Sequence, residues 1–129
     1  DNMILKNNEV VGILDWELST LGHPIADFSY HCLSWRTQEA FWDQAKLKEL
    51  GIPSEKEYME MYCENSGKDL SKNWEFYMAF NMFKIAGILQ GILGRVRDGT
   101  AASKHAEERG NMVFPLSQAA WKTIEDNFL

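Results

Sequence analysis

Cysteine is scarce in this 129-residue chain, which contains only Cys32 and Cys63. Neither belongs to a C-x-x-C pair, and the chain has no His/Cys spacing typical of a zinc site. Both cysteines lie in apolar stretches with helical spacing, where a lone thiol normally packs as a small apolar group. We therefore expect two buried free thiols.

Basic residues and long apolar runs are also scarce. Lys and Arg number 13 against 19 Asp and Glu, so the formal net charge is −6. This balance argues against a nucleic-acid-binding surface, which is usually basic, and leaves room only for a local basic pocket for phosphate. No uninterrupted apolar run approaches the roughly 20 residues that a membrane span needs. We expect neither nucleic acid nor membrane as a partner, and a cytoplasmic location.

Aromatic residues, in contrast, are plentiful. Five Trp, seven Phe and four Tyr accompany a hydrophobic fraction of 45% and a charged fraction of 25%. Such side chains bury large areas, so a substantial core is expected. The length fits one domain or a large piece of one, and the chain shows no repeat or linker.

The first residues predict a β-hairpin with two polar side chains at its open end. Strands are predicted from Met3 to Lys6 and from Val10 to Leu14, joined by a turn at Asn7-Asn8, since Asn tolerates positive φ. An antiparallel hairpin would bring Asn2, before the first strand, beside Asp15, after the second. An amide oxygen and a carboxylate are ligands that Mg²⁺ accepts when it also holds a phosphate. Alternatively, both are ordinary turn residues.

The residues after this hairpin resemble a known family. The run VGILDWELSTLGHPIADFSY, from Val11 to Tyr30, is similar to the aminoglycoside phosphotransferase/choline kinase-like family, in particular the subgroup also found fused to acyl-CoA dehydrogenases. The resemblance is specific over residues 1–35 and looser to about Trp121. It implies a protein-kinase-like fold in which Asn2 matches the catalytic-loop Asn and Asp15 the metal-binding Asp.

What the resemblance implies is an ATP-dependent phosphotransferase, or kinase, that acts on a hydroxyl of a small molecule. Asn2 and Asp15 would then be catalytic residues that hold Mg²⁺ and the phosphates of ATP. Glu17 is a weaker candidate for the same site. Asp27 would support it as a buried carboxylate at the start of the next helix, and Trp16 would pack beneath the loop. A hydroxyacyl-CoA is a more plausible acceptor than a polycationic aminoglycoside, because the acidic residues here are scattered.

The resemblance also has a gap. The His and the catalytic-base Asp of the family lie a few residues before Asn2 and so precede residue 1. We therefore expect residues 1–129 to be the C-terminal, mostly helical lobe of such a domain, without the N-lobe or the catalytic-base loop, inactive alone and prone to self-association. The alternative is a non-catalytic helical module, derived from the same fold, that docks a protein partner.

Helical spacing and capping signals organise the rest of the chain into a mainly α structure. We predict helices over Pro24–Trp35, over Thr37–Leu50, from a capping box at Ser54 to a Gly67 C-cap, and from Leu70 or Asn73 to Arg97. One more helix, kinked or split at Pro115, would cover Ala101–Leu129. The fourth of these is apolar on most sides, with Lys84 and Gln90 as polar exceptions. Its glycines at 87, 91 and 94 would let another helix approach closely.

Overall fold

The computed structural model describes residues 2–37, 44–70 and 72–129. The chain begins with an antiparallel hairpin and continues as helices, which confirms the predicted mainly α class with a small N-terminal hairpin. Its strands are β1 (Met3–Lys6) and β2 (Glu9–Ile13), and a 3₁₀ helix spans Trp16–Leu18. The α-helices are α1 (Pro24–Arg36), α2 (Gln44–Glu49), α3 (Glu55–Ser66), α4 (Trp74–Arg97), α5 (Ala106–Gly110) and α6 (Val113–Phe128).

The hairpin turn is the one its sequence predicts. Asn7 and Asn8 both have positive φ, 52° and 64°, which matches the right-handed twist of the flanking strands. The register pairs Ile4 with Gly12 but Leu5 with Val10, so Val11 is an extra, bulged residue. The apolar side chains of both strands are largely exposed.

Helix α4 is the centre of the helical body. It packs against α1, α5 and α6, and the core forms along its inner face from Trp74, Met78, Met82 and Ala86. Neighbouring elements add the other buried core residues, which are Ile25, Phe28, Cys32, Leu33, Leu70, Leu116 and Ala120. A helix with apolar residues nearly all round is expected to be central, and the prediction for this segment is confirmed.

Aromatic stacking joins α3 to α1. Phe28 stacks on Tyr62 with ring centroids 3.9 Å apart, and Trp35 stacks on Tyr58 at 5.2 Å. The indole N–H of Trp35 donates to the carbonyl of Pro53 at 3.0 Å. The capping box at Ser54 and the left-handed Gly67 bound α3 as predicted.

Arg36 ties together the ends of three helices. From the last turn of α1, its guanidinium forms ion pairs with Glu55 of α3 at 2.6 Å and Glu75 of α4 at 2.8 Å. Glu55 also accepts a hydrogen bond from the indole of Trp74 at 2.8 Å. Hydrogen bonds to both carboxylates stabilise the charged guanidinium and raise the pKa of Arg36 further.

One helix prediction is tested only in part, and another needs correction. The predicted helix over Thr37–Leu50 is seen as Gln44–Glu49, while residues 38–43 lie outside the described part of the chain. The last helix is divided before Pro115, not at it, because α5 ends at Gly110 and α6 begins at Val113. Pro115 lies in the first turn of α6, where a backbone N–H would lack a helical partner anyway.

Within the described chain, no other helix approaches α4 closely at its three predicted glycines. A Cβ added at Gly87, Gly91 or Gly94 would meet no atom within 4 Å in the described structure. The close approach is instead at Gly110 of α5, where a Cβ would overlap Cγ and Cδ2 of Leu93. The glycine that allows close packing between α4 and α5 is therefore Gly110 on α5, and not one of the glycines of α4.

Among the described residues, α4 is also the one helix whose length and composition would permit a membrane crossing. The core helix of a soluble protein passes the same test. One side of α4 packs against three other helices, while several of its large apolar side chains, among them Phe83 and Ile88, are exposed.

Candidate metal and phosphate site at the end of the hairpin

The open end of the hairpin brings Asn2 and Asp15 together, as predicted. The backbone N–H of Leu14 donates to the carbonyl of Asn2 at 2.8 Å, which closes the ladder one residue beyond the strands. Just outside this bond, the Asn2 side-chain amide donates to Oδ2 of Asp15 at 3.2 Å. Both residues are exposed, so the pair lies at the surface of the described chain.

The backbone of Asp15 is in the left-handed region, with φ 63° and ψ 50°. A non-glycine residue there is uncommon, although Asp tolerates it better than most. Asp15 precedes the 3₁₀ helix Trp16–Leu18 but its side chain makes no capping hydrogen bond. The turn thus presents the carboxylate beside Asn2 without using it to stabilise the helix.

Of the two residues after Asp15, Trp16 differs from expectation and Glu17 stays a candidate. Trp16 is 64% exposed, so the expectation that it packs beneath the loop is wrong. Its indole N–H donates to the carbonyl of Ile13 at 2.7 Å, which fixes the ring against the end of β2 instead. Glu17 is exposed on the 3₁₀ helix, and its candidacy for the site stays a prediction.

Asp27 lies in the first turn of α1, as predicted, but it is exposed in the described structure. Its burial against the catalytic-loop backbone of the family stays a prediction, and a carboxylate at this place is already favoured by the helix dipole. Its supporting role stays a prediction.

A buried polar contact that the sequence analysis missed fixes α1 on α4. Asn81, 1% exposed, donates to the carbonyl of Ala26 and to the hydroxyl of Ser29, both at 2.8 Å. Ser29 in turn donates to the carbonyl of Ala26 at 3.2 Å. The available signal was a lone Asn in the apolar centre of α4, since buried polar groups are nearly always hydrogen-bonded.

His23 fixes the beginning of α1. Its Nδ1 accepts a hydrogen bond from the backbone N–H of Ile25 at 3.3 Å, and its ring stacks on Tyr77 of α4 with centroids 5.1 Å apart. The segment between Asp15 and α1 is therefore anchored to the helical body at one end. The other end carries the Asn2–Asp15 pair.

The pair offers too few ligands for a closed metal site. Within residues 2–37, 44–70 and 72–129, no group of three or more His, Cys, Asp or Glu could hold a metal. Mg²⁺ in phosphate-binding sites, however, is commonly held by one or two protein oxygens together with substrate phosphates and water. One carboxylate beside one amide oxygen fits that open kind of site.

Comparison with known proteins identifies the class. Residues 1–62 match the model of the phosphotransferase enzyme family. A solved structure from Ralstonia eutropha, assigned as an aminoglycoside phosphotransferase, is 42% identical and covers 98% of this chain with a TM-score of 0.84. The chain belongs to this phosphotransferase family and has its kinase-like fold.

Within this class, the chain is similar to a particular group of proteins. It is 41% identical over 128 residues to acyl-CoA dehydrogenase family member 10 of Mus musculus, and 34% identical over 134 residues to family member 11 of Homo sapiens. These matches cover 94% and 99% of this chain but only 12% and 17% of the relatives. The chain likewise spans 40% of the solved neighbour.

Proposed function

We propose that this chain carries the metal- and phosphate-binding end of a phosphotransferase that transfers the γ-phosphoryl group of ATP to a hydroxyl of a small molecule. The observation that carries the proposal is the Asn2–Asp15 pair, held together at 3.2 Å on a solvent-facing end of the hairpin. Membership in the phosphotransferase family supports the reaction class.

The two side chains would have different roles. Asp15 supplies an anionic oxygen for Mg²⁺, and the amide oxygen of Asn2 supplies a neutral one. The hydrogen bond from Asn2 to Oδ2 of Asp15 orients the carboxylate before any ligand arrives. The bound ion would neutralise phosphate charge, on which phosphoryl transfer mainly depends.

For the acceptor we propose a hydroxyacyl-CoA or a related small hydroxylated metabolite. The similarity to proteins named as acyl-CoA dehydrogenases supports this class. The acidic residues are scattered along the sequence and do not predict the strongly acidic pocket that a polycationic aminoglycoside would need.

Metal binding can be tested on the 129-residue chain itself. Mn²⁺ in place of Mg²⁺, added with ATP, is expected to broaden the NMR signals of residues around Asn2 and Asp15 before all others. Asp15→Asn should remove this selective broadening, because it keeps the shape and loses the charge. The matched control is Asp98→Asn, which changes an exposed carboxylate at the far end of α4 and should leave the broadening unchanged.

Turnover gives an independent test in a longer polypeptide in which the catalytic loop of the family precedes Asn2. Asp15→Ala should lower the rate of phosphoryl transfer by more than about 100-fold, the usual loss for one electrostatic group at a reacting centre. Near-normal turnover of this variant would refute the assignment of Asp15. If neither metal binding nor turnover is detected, the non-catalytic docking module becomes the better interpretation.

A further inference from the structure

The outer face of α4 is covered by no other element in the described structure, although its first half is aromatic. Phe76, Phe80 and Phe83 are between 48% and 72% exposed, and Trp121 of the adjacent α6 is 58% exposed. A hollow of about 400 Å³ lies between the two helices at this place and is lined by these four side chains together with Ala79, Ser117, Ala120 and Ile124. Contiguous aromatic surface of this kind on a folded protein marks an interaction site.

In the second half of α4, the central positions of the same face are occupied by glycines. Positions 76, 80, 83, 87, 91 and 94 follow the three- and four-residue spacing of one helix face. A Cβ added at Gly87, Gly91 or Gly94 would meet open space. The face therefore changes from large side chains to none along the length of α4.

This change is symmetric about the middle of the helix. In an antiparallel pair of α4 helices related by a twofold axis near residue 85, Phe76 of one copy lies opposite Gly94 of the other. Phe80 then lies opposite Gly91, and Phe83 opposite Gly87. A twofold interface requires one patch to be complementary to itself, and here each phenylalanine meets a glycine.

Charge and area are compatible with this pairing. Lys84, a charged residue beside the middle of the face, has its ammonium 5.1 Å from the centre of the Tyr30 ring of α1 and so leans away from the outer face. At about 200 Å² for a whole aromatic side chain, the four exposed rings offer on the order of 450 Å². The exposed glycine backbone extends this patch toward the roughly 800 Å² per partner of a standard interface. The area suits a reversible dimer.

We infer that the outer face of α4 binds a second copy of this chain in an antiparallel, twofold-symmetric pair, with the phenylalanine half of each helix against the glycine half of the other.

Sedimentation velocity over a range of protein concentrations tests the inference on the whole 129-residue chain. The wild type should shift from monomer to dimer as concentration rises. Phe83→Glu should stay monomeric, because it places a charge in the centre of the face. Gly91→Leu should also stay monomeric, because its side chain occupies the place of the partner's Phe80. Its monomer should nevertheless unfold at a higher temperature than the wild-type monomer, because Leu has a higher helix propensity than Gly.

The control addresses a second exposed apolar surface. Leu5→Glu changes the hairpin, where Leu5 is 65% exposed, and should leave the dimer intact. Circular dichroism and thermal unfolding show that each variant is folded. The inference is overturned if the wild type stays monomeric at every concentration, if the dimer survives both α4 substitutions, or if Leu5→Glu abolishes it.

Discussion

Asp15 has a backbone conformation that few residues adopt at low free energy. Its φ of 63° is in the left-handed region, which costs most residues about 1–2 kcal/mol and Gly almost nothing. Strain of this kind often accompanies functional sites. Here it turns the chain out of β2 and leaves the carboxylate beside Asn2.

This conformation predicts different effects for two substitutions of Asp15. Asp15→Gly should keep the hairpin as stable as in the wild type, while Asp15→Ala should lower its stability by about 1 kcal/mol, since Ala disfavours positive φ. Amide exchange of Leu14, whose N–H bonds to Asn2, measures this difference. Both variants should lose Mn²⁺ binding, and equal exchange rates in the two would contradict the argument.

The two cysteines should differ in reactivity. Burial raises the pKa of the Cys32 thiol to about 12, and the nearby Glu55 carboxylate adds to the effect. Cys63 is only half-buried. A maleimide at pH 8 should therefore label Cys63 first and Cys32 only as fast as the protein unfolds, because the thiolate is the reactive form. Mass spectrometry of the labelled chain checks the order.

The same shift makes stability depend on alkaline pH. Because the pKa of Cys32 is higher in the folded state than its ordinary value of 9.0, the folded state holds the proton more tightly. This stabilisation is complete below about pH 9 and is lost as pH rises toward 12. Cys32→Ala should show a smaller loss of unfolding free energy over this window, and identical losses would contradict the assignment.

At the scale of elements, local signals were enough to place most helix ends. His23 with Pro24, the Ser54 capping box and Gly67 each act within a few residues, so the sequence alone predicts them. Contacts between distant residues were not predictable in this way. Arg36 with its two carboxylates and Asn81 with Ala26 depend on how the helices cross, which no local pattern specifies.

The glycines show the same limit. Small residues at helical spacing on α4 resemble a packing face, yet the described packing occurs at Gly110, a single glycine without any pattern. At the candidate site, the Asn2–Asp15 contact followed from hairpin geometry. The exposure of Trp16 and Asp27 could not be derived, because it depends on what covers them.

Gly110 and Gly87 therefore make a matched pair of substitutions. Gly110→Ala should destabilise the protein by about 1–3 kcal/mol, because its Cβ overlaps Leu93 and α5 must move away from α4. Gly87→Ala should leave stability unchanged or raise it by up to about 1 kcal/mol through helix propensity. Urea unfolding at low protein concentration measures both, and a neutral Gly110→Ala would show that the two helices can separate freely.

At the scale of the whole molecule, the hairpin and the helical body differ in how they are stabilised. The body has a core around α4, whereas the strand side chains Met3, Leu5, Val10 and Ile13 are all more than half exposed. A two-stranded hairpin by itself is only marginally stable in water. The candidate site is thus built on the less stable part of the described chain.

Hydrogen exchange should make this difference visible. Amides in the centre of α4 should exchange only through global unfolding, while those of β1 and β2 should exchange through local opening. We expect protection in the strands to be at least about 100-fold lower, corresponding to roughly 3 kcal/mol in opening free energy. Equal protection in both regions would show that the hairpin and body unfold as one unit.

The left-handed turn at Asp15 also has a genetic consequence. Gly and Asn adopt this backbone as readily as Asp does, and both are reached from an Asp codon by a single-nucleotide change. Either substitution would remove the charge while leaving the turn in place. If Asp15 binds Mg²⁺ as proposed, a single mutational step could therefore abolish metal binding without destabilising the turn.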